Sequence, residues 1–165
     1  MKQLFILIFA IALCTSCKDD KNIPNGKLNV VTTTSMITDL ARNIGGDSIR
    51  VQGLMGSGVD PHLYKASEGD VSKLSNADVV FYSGLHLEGK LVDVFEKMGN
   101  TTNTIALAEI LDKNKLIGSE YFASNYDTHI WFNIQNWKQL TNYLNQKISK
   151  LNPENARFFQ NNSTR

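Results

Sequence analysis

Ala77-Asp78-Val79-Val80-Phe81-Tyr82 is the stretch from which the fold is read. Residues 78–82 predict one continuous apolar strand, rich in β-branched and aromatic side chains, of the kind buried on both faces. Such strands belong to parallel sheets, so the surrounding sequence is expected to alternate strands with helices. Upstream, residues 28–33 (LNVVTT) predict a strand and Ser35 an N-cap for a helix over residues 36–43, with Gly45-Gly46 ending it. Residues 49–54 predict a second strand, and Ser67 opens a second helix through Asp70, Val71 and Leu74. Downstream, Gly84-Leu85-His86-Leu87-Glu88-Gly89 is expected to turn into a helix through Val92, Phe95 and Met98, before a short fourth strand over 104–107. The predicted fold is α/β, a parallel four-stranded sheet flanked by helices, with ligands at the carboxyl ends of the strands. A polar surface loop over 112–125 follows, then a helix from Asn136 through Ile148, and another starting at Pro153 and carrying Phe158 and Phe159. The apolar face of that last helix is expected to have nothing further to pack on.

Two histidine motifs sit in this frame. Asp60-Pro61-His62-Leu63-Tyr64 follows the second predicted strand after a loop holding Gly53, Gly56 and Gly58, and Asp127-Thr128-His129-Ile130-Trp131 repeats its form 67 positions later (129 − 62 = 67). Each places an Asp two residues before a histidine and an apolar residue after it. Neutral imidazole is the commonest metal ligand, and a carboxylate nearby can fix which ring nitrogen faces the ion. His62 and His129 are the candidate metal ligands. Asp60 and Asp127 are expected either to orient the imidazoles or to form turns. His86 follows the third strand at the same sheet edge, as a peripheral ligand or a hydrogen-bonding residue at a helix start. Glu88 is expected to be a helix N-terminal carboxylate favoured by the dipole. Tyr64 is assigned to core or cleft, and Trp131, Phe132 and Trp137 to core or to the lining of an interface.

Composition excludes more than it selects. The chain carries 17 Lys and Arg against 16 Asp and Glu, and without Lys2 of the leader the balance is 16 to 16, so no basic surface points to nucleic acid. Lys2 and the apolar residues 4–13 form a signal h-region, about half the roughly 20 residues that span a bilayer. Cys14-Thr15-Ser16-Cys17 then resembles a bacterial lipobox, in which Cys17 becomes the lipid-bearing N-terminus. The expected domains are a signal peptide over 1–16, a charged tether over 17–27 and a folded lobe over 28–165. A C-x-x-C redox or zinc site is the competing reading of the two cysteines, but both lie in the leader. Beyond Cys17 there is no cysteine, so the lobe has neither a disulfide nor a thiolate metal site.

The run from Asp60-Pro61-His62-Leu63-Tyr64-Lys65 through Gly69-Asp70-Val71, Ala77-Asp78-Val79-Val80-Phe81-Tyr82 and Gly84-Leu85-His86-Leu87-Glu88-Gly89 resembles the N-terminal lobe of zinc- or manganese-binding receptor lipoproteins of ABC-type uptake systems. Asp127-Thr128-His129-Ile130-Trp131-Phe132 resembles their second histidine motif, and Asn152-Pro153-Glu154-Asn155 the opening of the helix leading to the inter-lobe spine. The resemblance runs from about Leu28 to the last residue. Two positions depart from it: Thr128 stands where the family usually has proline, and Asn133 where it usually has an acidic residue. The resemblance implies a lipid-anchored protein of the bacterial cell envelope that captures Zn or Mn and hands it to a permease and its ATPase. It also implies a second lobe that supplies two more ligands, which nothing after Arg165 can provide, so the chain is expected to be half of a two-lobed receptor.

Two other functions compete. A metal-dependent hydrolase would want a general base beside its ligands, as in H-E-x-x-H, and no such pattern occurs. A surface-lipoprotein interaction or adhesion module would keep the lobe's shape without a working metal site.

Overall fold

The computed structural model describes residues 26–98, 102–122 and 124–164. The expected signal peptide, nearly all of the tether and the lipidation residue Cys17 lie outside the described residues.

Four strands, β1 (Leu28–Thr32), β2 (Ile49–Gly53), β3 (Val79–Tyr82) and β4 (Asn103–Ala106), form one sheet in the order β2-β1-β3-β4, and every pairing is parallel. Among the described residues five α-helices accompany them: α1 (Ser35–Gly45), α2 (Glu68–Ser75), α3 (Val92–Met98), α4 (Ile134–Leu151) and α5 (Ala156–Ser163). The period-2 alternation of a strand decides which side each residue serves. Val30, Val79 and Phe81 enter one core with Ile37, Ile44, Leu140, Leu144 and Ile148 from α1 and α4. Val31 and Val80 point the other way, into a smaller core with Leu54, Leu74, Leu91 and Phe95. Val79, Val80 and Phe81 are fully buried, as their unbroken apolar run predicts.

The chain leaves β1 towards β2 on one side and reaches β3 on the other, so the order of connection reverses between β1 and β3. At the carboxyl end of such a sheet a crevice opens at this point. Here Glu88 closes it. Its Oε1 accepts 2.7 Å hydrogen bonds from Thr33 Oγ1, just past β1, and from Ser83 N, just past β3, while Oε2 accepts from Gly84 N at 3.3 Å. Glu88 is therefore not the helix N-terminal carboxylate expected from the sequence: it is completely buried in a turn, and α3 does not begin until Val92. Burial pushes its carboxyl up from the ordinary range, and hydrogen bonds from Thr33 and Ser83 oppose that shift. The turn is tight enough that Gly84, Leu85 and His86 all have positive φ, at 88°, 50° and 63°.

Three other expectations need correction. Thr34, not Ser35, caps α1: its backbone is extended and its hydroxyl accepts from Ile37 N at 3.4 Å, which puts Ser35 inside the first turn. The fourth helix starts at Ile134 rather than Asn136, because Asn133 Oδ1 accepts from Gln135 N at 2.9 Å and Asn136 N at 3.2 Å. The last helix is not left without a partner. Its Phe159 is fully buried in the main core, Asn162 Nδ2 donates to Ile44 O at 3.0 Å, and Phe158 lies over Gly46, where a Cβ would meet its Cζ at 3.0 Å. Thus α5 closes the open end of α1.

Replacing Phe159 by Ala should cost about 3–5 kcal/mol, the usual penalty for emptying a closely packed aromatic site. Urea unfolding followed by circular dichroism would measure it; a loss below about 1 kcal/mol would mean that α5 is not integral to the core.

Candidate metal centre

The loop after β2 carries His62 and is fixed at both ends of its motif. At the start, His62 N donates to Asp60 Oδ1 at 2.9 Å, a local turn in which the short acidic side chain stands in for a backbone acceptor. At the end, Tyr64 Oη donates to Asp70 Oδ2 at 2.6 Å and lies 3.1 Å from Leu54 O. Asp70 is buried and also accepts from Ser67 N at 3.0 Å, Ser67 Oγ at 2.6 Å and Lys73 Nζ at 2.9 Å. With Ser67 Oγ accepting from Asp70 N, the pair forms a reciprocal capping box at the start of α2. Burial alone would raise the Asp70 carboxyl, but the donors from Ser67, Tyr64 and Lys73 outweigh it and hold Asp70 well below the usual carboxylate range. Partial burial, with the hydrogen bond to Asp70 and its negative charge, pushes Tyr64 up to about 12.

The second motif sits after a loop that doubles back on itself. Gly118 and Tyr126 form an antiparallel bridge, Ser119 N donates to Asn125 O at 3.0 Å, and Asp127 N donates to Ile117 O at 2.8 Å. Asp127 then does two things. Its Oδ1 accepts from His129 N at 2.9 Å and faces His129 Nδ1 at 2.7 Å, so Nε2 is the ring nitrogen that Asp127 does not occupy. Those two bonds, backbone first, hold the Asp127 carboxyl below its ordinary range. Asp60 has the backbone bond to His62 without a ring contact of this sort, so the two acidic residues are not equivalent.

These loops bring the two imidazoles together. The ring centres of His62 and His129 are 5.6 Å apart with their planes inclined at 59°. Two imidazoles bound to one tetrahedral ion at about 2.0–2.1 Å would have centres about 5 Å apart, close to the separation of this pair. His62 Nε2 is buried and has no hydrogen-bond partner. An orphaned buried nitrogen of this kind costs about 1–3 kcal/mol unless something else satisfies it. Phe122 stacks on His62 at 5.5 Å and 15°, and meets His129 edge-on at 5.5 Å and 64°. Trp131 meets His129 edge-on at 5.2 Å and 71° and packs against the core; Trp137 also packs against the core, whereas Phe132 is exposed and not part of it. Nothing in the sequence marks out Phe122, one of two adjacent aromatics in a largely polar loop.

His86 is not brought to this pair. It is exposed, it sits in the left-handed turn instead of at a helix start, and its ring lies against Gly89, where a Cβ would meet Nδ1 at 3.5 Å. Among the described residues, no three of His, Cys, Asp and Glu converge on a point that could hold a metal. Thr128 is buried, and its Oγ1 has no hydrogen-bond partner. Asn133, the other departure from the family pattern, caps α4. Phe132 and Ile134, both 81% exposed, border the site, and Leu63 is exposed beside His62. A groove of about 500 Å³ on the outer side of His129 is lined by Lys115, Phe132 and Ile134 and does not include His62.

The family described as zinc-uptake complex component A, periplasmic, matches residues 30–165. This chain belongs to that family. It is 45% identical over 159 residues to the manganese-binding lipoprotein MntA of Bacillus subtilis, covering 95% of this chain and 52% of that one. It is 39% identical to the zinc-binding protein TroA of Treponema pallidum, covering 82% and 43% of the two chains. The solved structure of that periplasmic zinc-binding protein superposes with a TM-score of 0.79 at 38% identity, over 84% of this chain and 50% of the other. A manganese-bound periplasmic metal-binding protein from Candidatus Liberibacter asiaticus superposes with a TM-score of 0.74 at 28% identity, over 84% and 51%. The chain therefore spans about half the length of the relatives it matches, and its sheet and helices are those of one lobe of such receptors.

Replacing Asp70 by Asn should lower stability by about 1–3 kcal/mol at neutral pH, because four donors then surround a group that has lost its charge. A carboxylate depressed in the folded state contributes stability above its unfolded pKa of about 4 and loses it as pH falls towards the folded value. Urea midpoints measured from pH 7 down to about 2 should therefore converge for wild type and Asp70→Asn in acid. A constant gap between the two at every pH would show that the Asp70 charge carries no stability.

Proposed function

We propose that this chain is the first lobe of a lipid-anchored receptor that captures a divalent transition metal and delivers it to an ABC permease driven by its ATPase. The proposal rests most directly on the buried, unpartnered Nε2 of His62, lying in a ring pair with His129 whose Nδ1 is occupied by Asp127. In this reading Nε2 of each histidine is a ligand, Asp127 is the residue that orients His129, and the metal is cargo rather than a resident cofactor. An imidazole pair suits zinc, while manganese would want harder oxygen ligands beside it, and the relatives' names, manganese-binding and zinc-binding, include both ions. The receptor role is one of binding, with no turnover. Domain limits follow the sequence: a signal peptide over 1–16, a tether over 17–27 whose Cys17 carries lipid at the bacterial cell envelope, and a lobe over 28–165 that ends in the start of the inter-lobe helix.

A receptor must hold its ion firmly and unreactively, which needs a coordination shell filled by protein. This lobe supplies two positions. A second lobe supplying the remaining two would make capture depend on closure of the lobes, and so let a permease distinguish loaded from empty receptor.

Equilibrium dialysis of the 165-residue chain against Zn²⁺ and Mn²⁺ tests the reading. The expected result is saturable 1:1 binding that His62→Ala and His129→Ala each abolish and Asp127→Asn weakens by about 10-fold or more. Metal uptake indifferent to His62→Ala would favour an interaction module that keeps the fold alone.

A further inference from the structure

Phe122 is the one described residue whose ring meets both imidazoles, parallel to His62 and edge-on to His129. It comes from a loop whose neighbouring aromatic, Tyr121, is 96% exposed, whereas Phe122 is drawn inward. The loop is built to hold it there: the Gly118–Tyr126 bridge closes its base, Asn125 N donates to Phe122 O at 2.8 Å, and Asn125 takes a left-handed φ of 61° to make that bond. A left-handed residue costs least when it is Asn or Gly, which is what this position has.

His62 needs such a support more than His129 does. Asp127 fixes the ring of His129 through Nδ1, but Asp60 reaches only the backbone of His62, and His62 Nε2 has no polar partner. Nothing polar at Nε2 sets the angle of that ring. A flat aromatic lying at 15° to it restricts rotation about the Cβ–Cγ bond by packing, and it excludes water from the face it covers. A ring kept in one orientation loses little entropy when it binds an ion, and a dry apolar wall strengthens the metal–nitrogen bond that forms beside it.

We propose that Phe122 is the positioning residue for His62, doing by stacking what Asp127 does for His129 by hydrogen bonding, so that the lobe offers its metal two pre-aimed nitrogens. The inference rests on the reading of His62 and His129 as ligands. It makes the polar loop part of the metal centre, with an aromatic residue as its functional contact.

The test uses the full chain with Zn²⁺ as the probe. In the metal-free protein, NMR should show the His62 ring protons displaced by the Phe122 ring current, and that displacement should vanish in Phe122→Ala. Zn²⁺ affinity measured by calorimetry should fall about tenfold in Phe122→Ala, with faster dissociation, should recover in Phe122→Tyr, and should be unchanged in Tyr121→Ala. Thermal unfolding of the metal-free variants controls for folding, and Phe122→Leu, which keeps apolar bulk without a flat ring, supplies an intermediate value if the fold is intact. If His62→Ala abolishes binding while Phe122→Ala leaves affinity and dissociation unaltered, the positioning role is wrong and the ligand assignment stands. If His62→Ala has no effect, the ligand assignment itself fails, and the positioning role fails with it.

Discussion

Tyr64 donates a 2.6 Å hydrogen bond to Asp70, and through it the loop that presents His62 is tied to the first turn of α2. The carboxylate at the centre of this contact collects donors from the loop, from the helix cap and from Lys73 in the helix body. A loop held only by its own backbone would place an imidazole to within several ångströms, whereas a chelate needs tenths of an ångström. Asp70 narrows that range because its donors arrive from three directions and all must be kept. Glu88 performs the equivalent service for the sheet, joining the ends of β1 and β3 so that the edge from which the loops rise is rigid. Two buried carboxylates therefore build the platform, and neither one needs to touch the ion.

The two histidines reach the same place by different means. His129 is oriented by a neighbour two residues away, a device contained within a single turn. His62 lacks that contact: its loop is tied to Asp70 at the start of α2, and on the proposed reading Phe122, from a distant loop, sets the angle of its ring. The difference has a physical consequence. A hydrogen bond to Nδ1 fixes the tautomer and makes the opposite nitrogen more basic, while an aromatic stack restricts motion without altering basicity to the same degree. On the proposed reading, one nitrogen is tuned electronically and the other mechanically. The loop that carries His62 leaves the carboxyl end of β2, so the strand fixes where that loop starts.

The sheet was legible because its signals are local. Val79-Val80-Phe81 reads as a doubly buried strand whatever its neighbours do, and the helices between strands carry their own periodicity and caps. The Asp–His turns are legible for the same reason, since each Asp lies two residues from the histidine whose backbone it accepts from. Glu88 was misplaced because a carboxylate near a predicted helix start has an ordinary local explanation, and only the folded chain brings Thr33, 55 residues away, against it. Phe122 was invisible because nothing in a polar loop states which of two adjacent aromatics turns inward. The packing of α5 on α1 was missed on similar grounds: Gly46 and Phe158 are neighbours only in space. Thr34 displaced Ser35 as a cap through one residue of register, which both hydroxyls satisfy equally well on paper.

The most direct measurement of the central claim is X-ray absorption at the zinc edge on the chain loaded with one equivalent of Zn²⁺. Convergence of His62 and His129 on one ion predicts two imidazole nitrogens at about 2.0–2.1 Å with the outer-ring scattering that marks histidine. A first shell made only of oxygen, or one containing a single imidazole, would contradict the account.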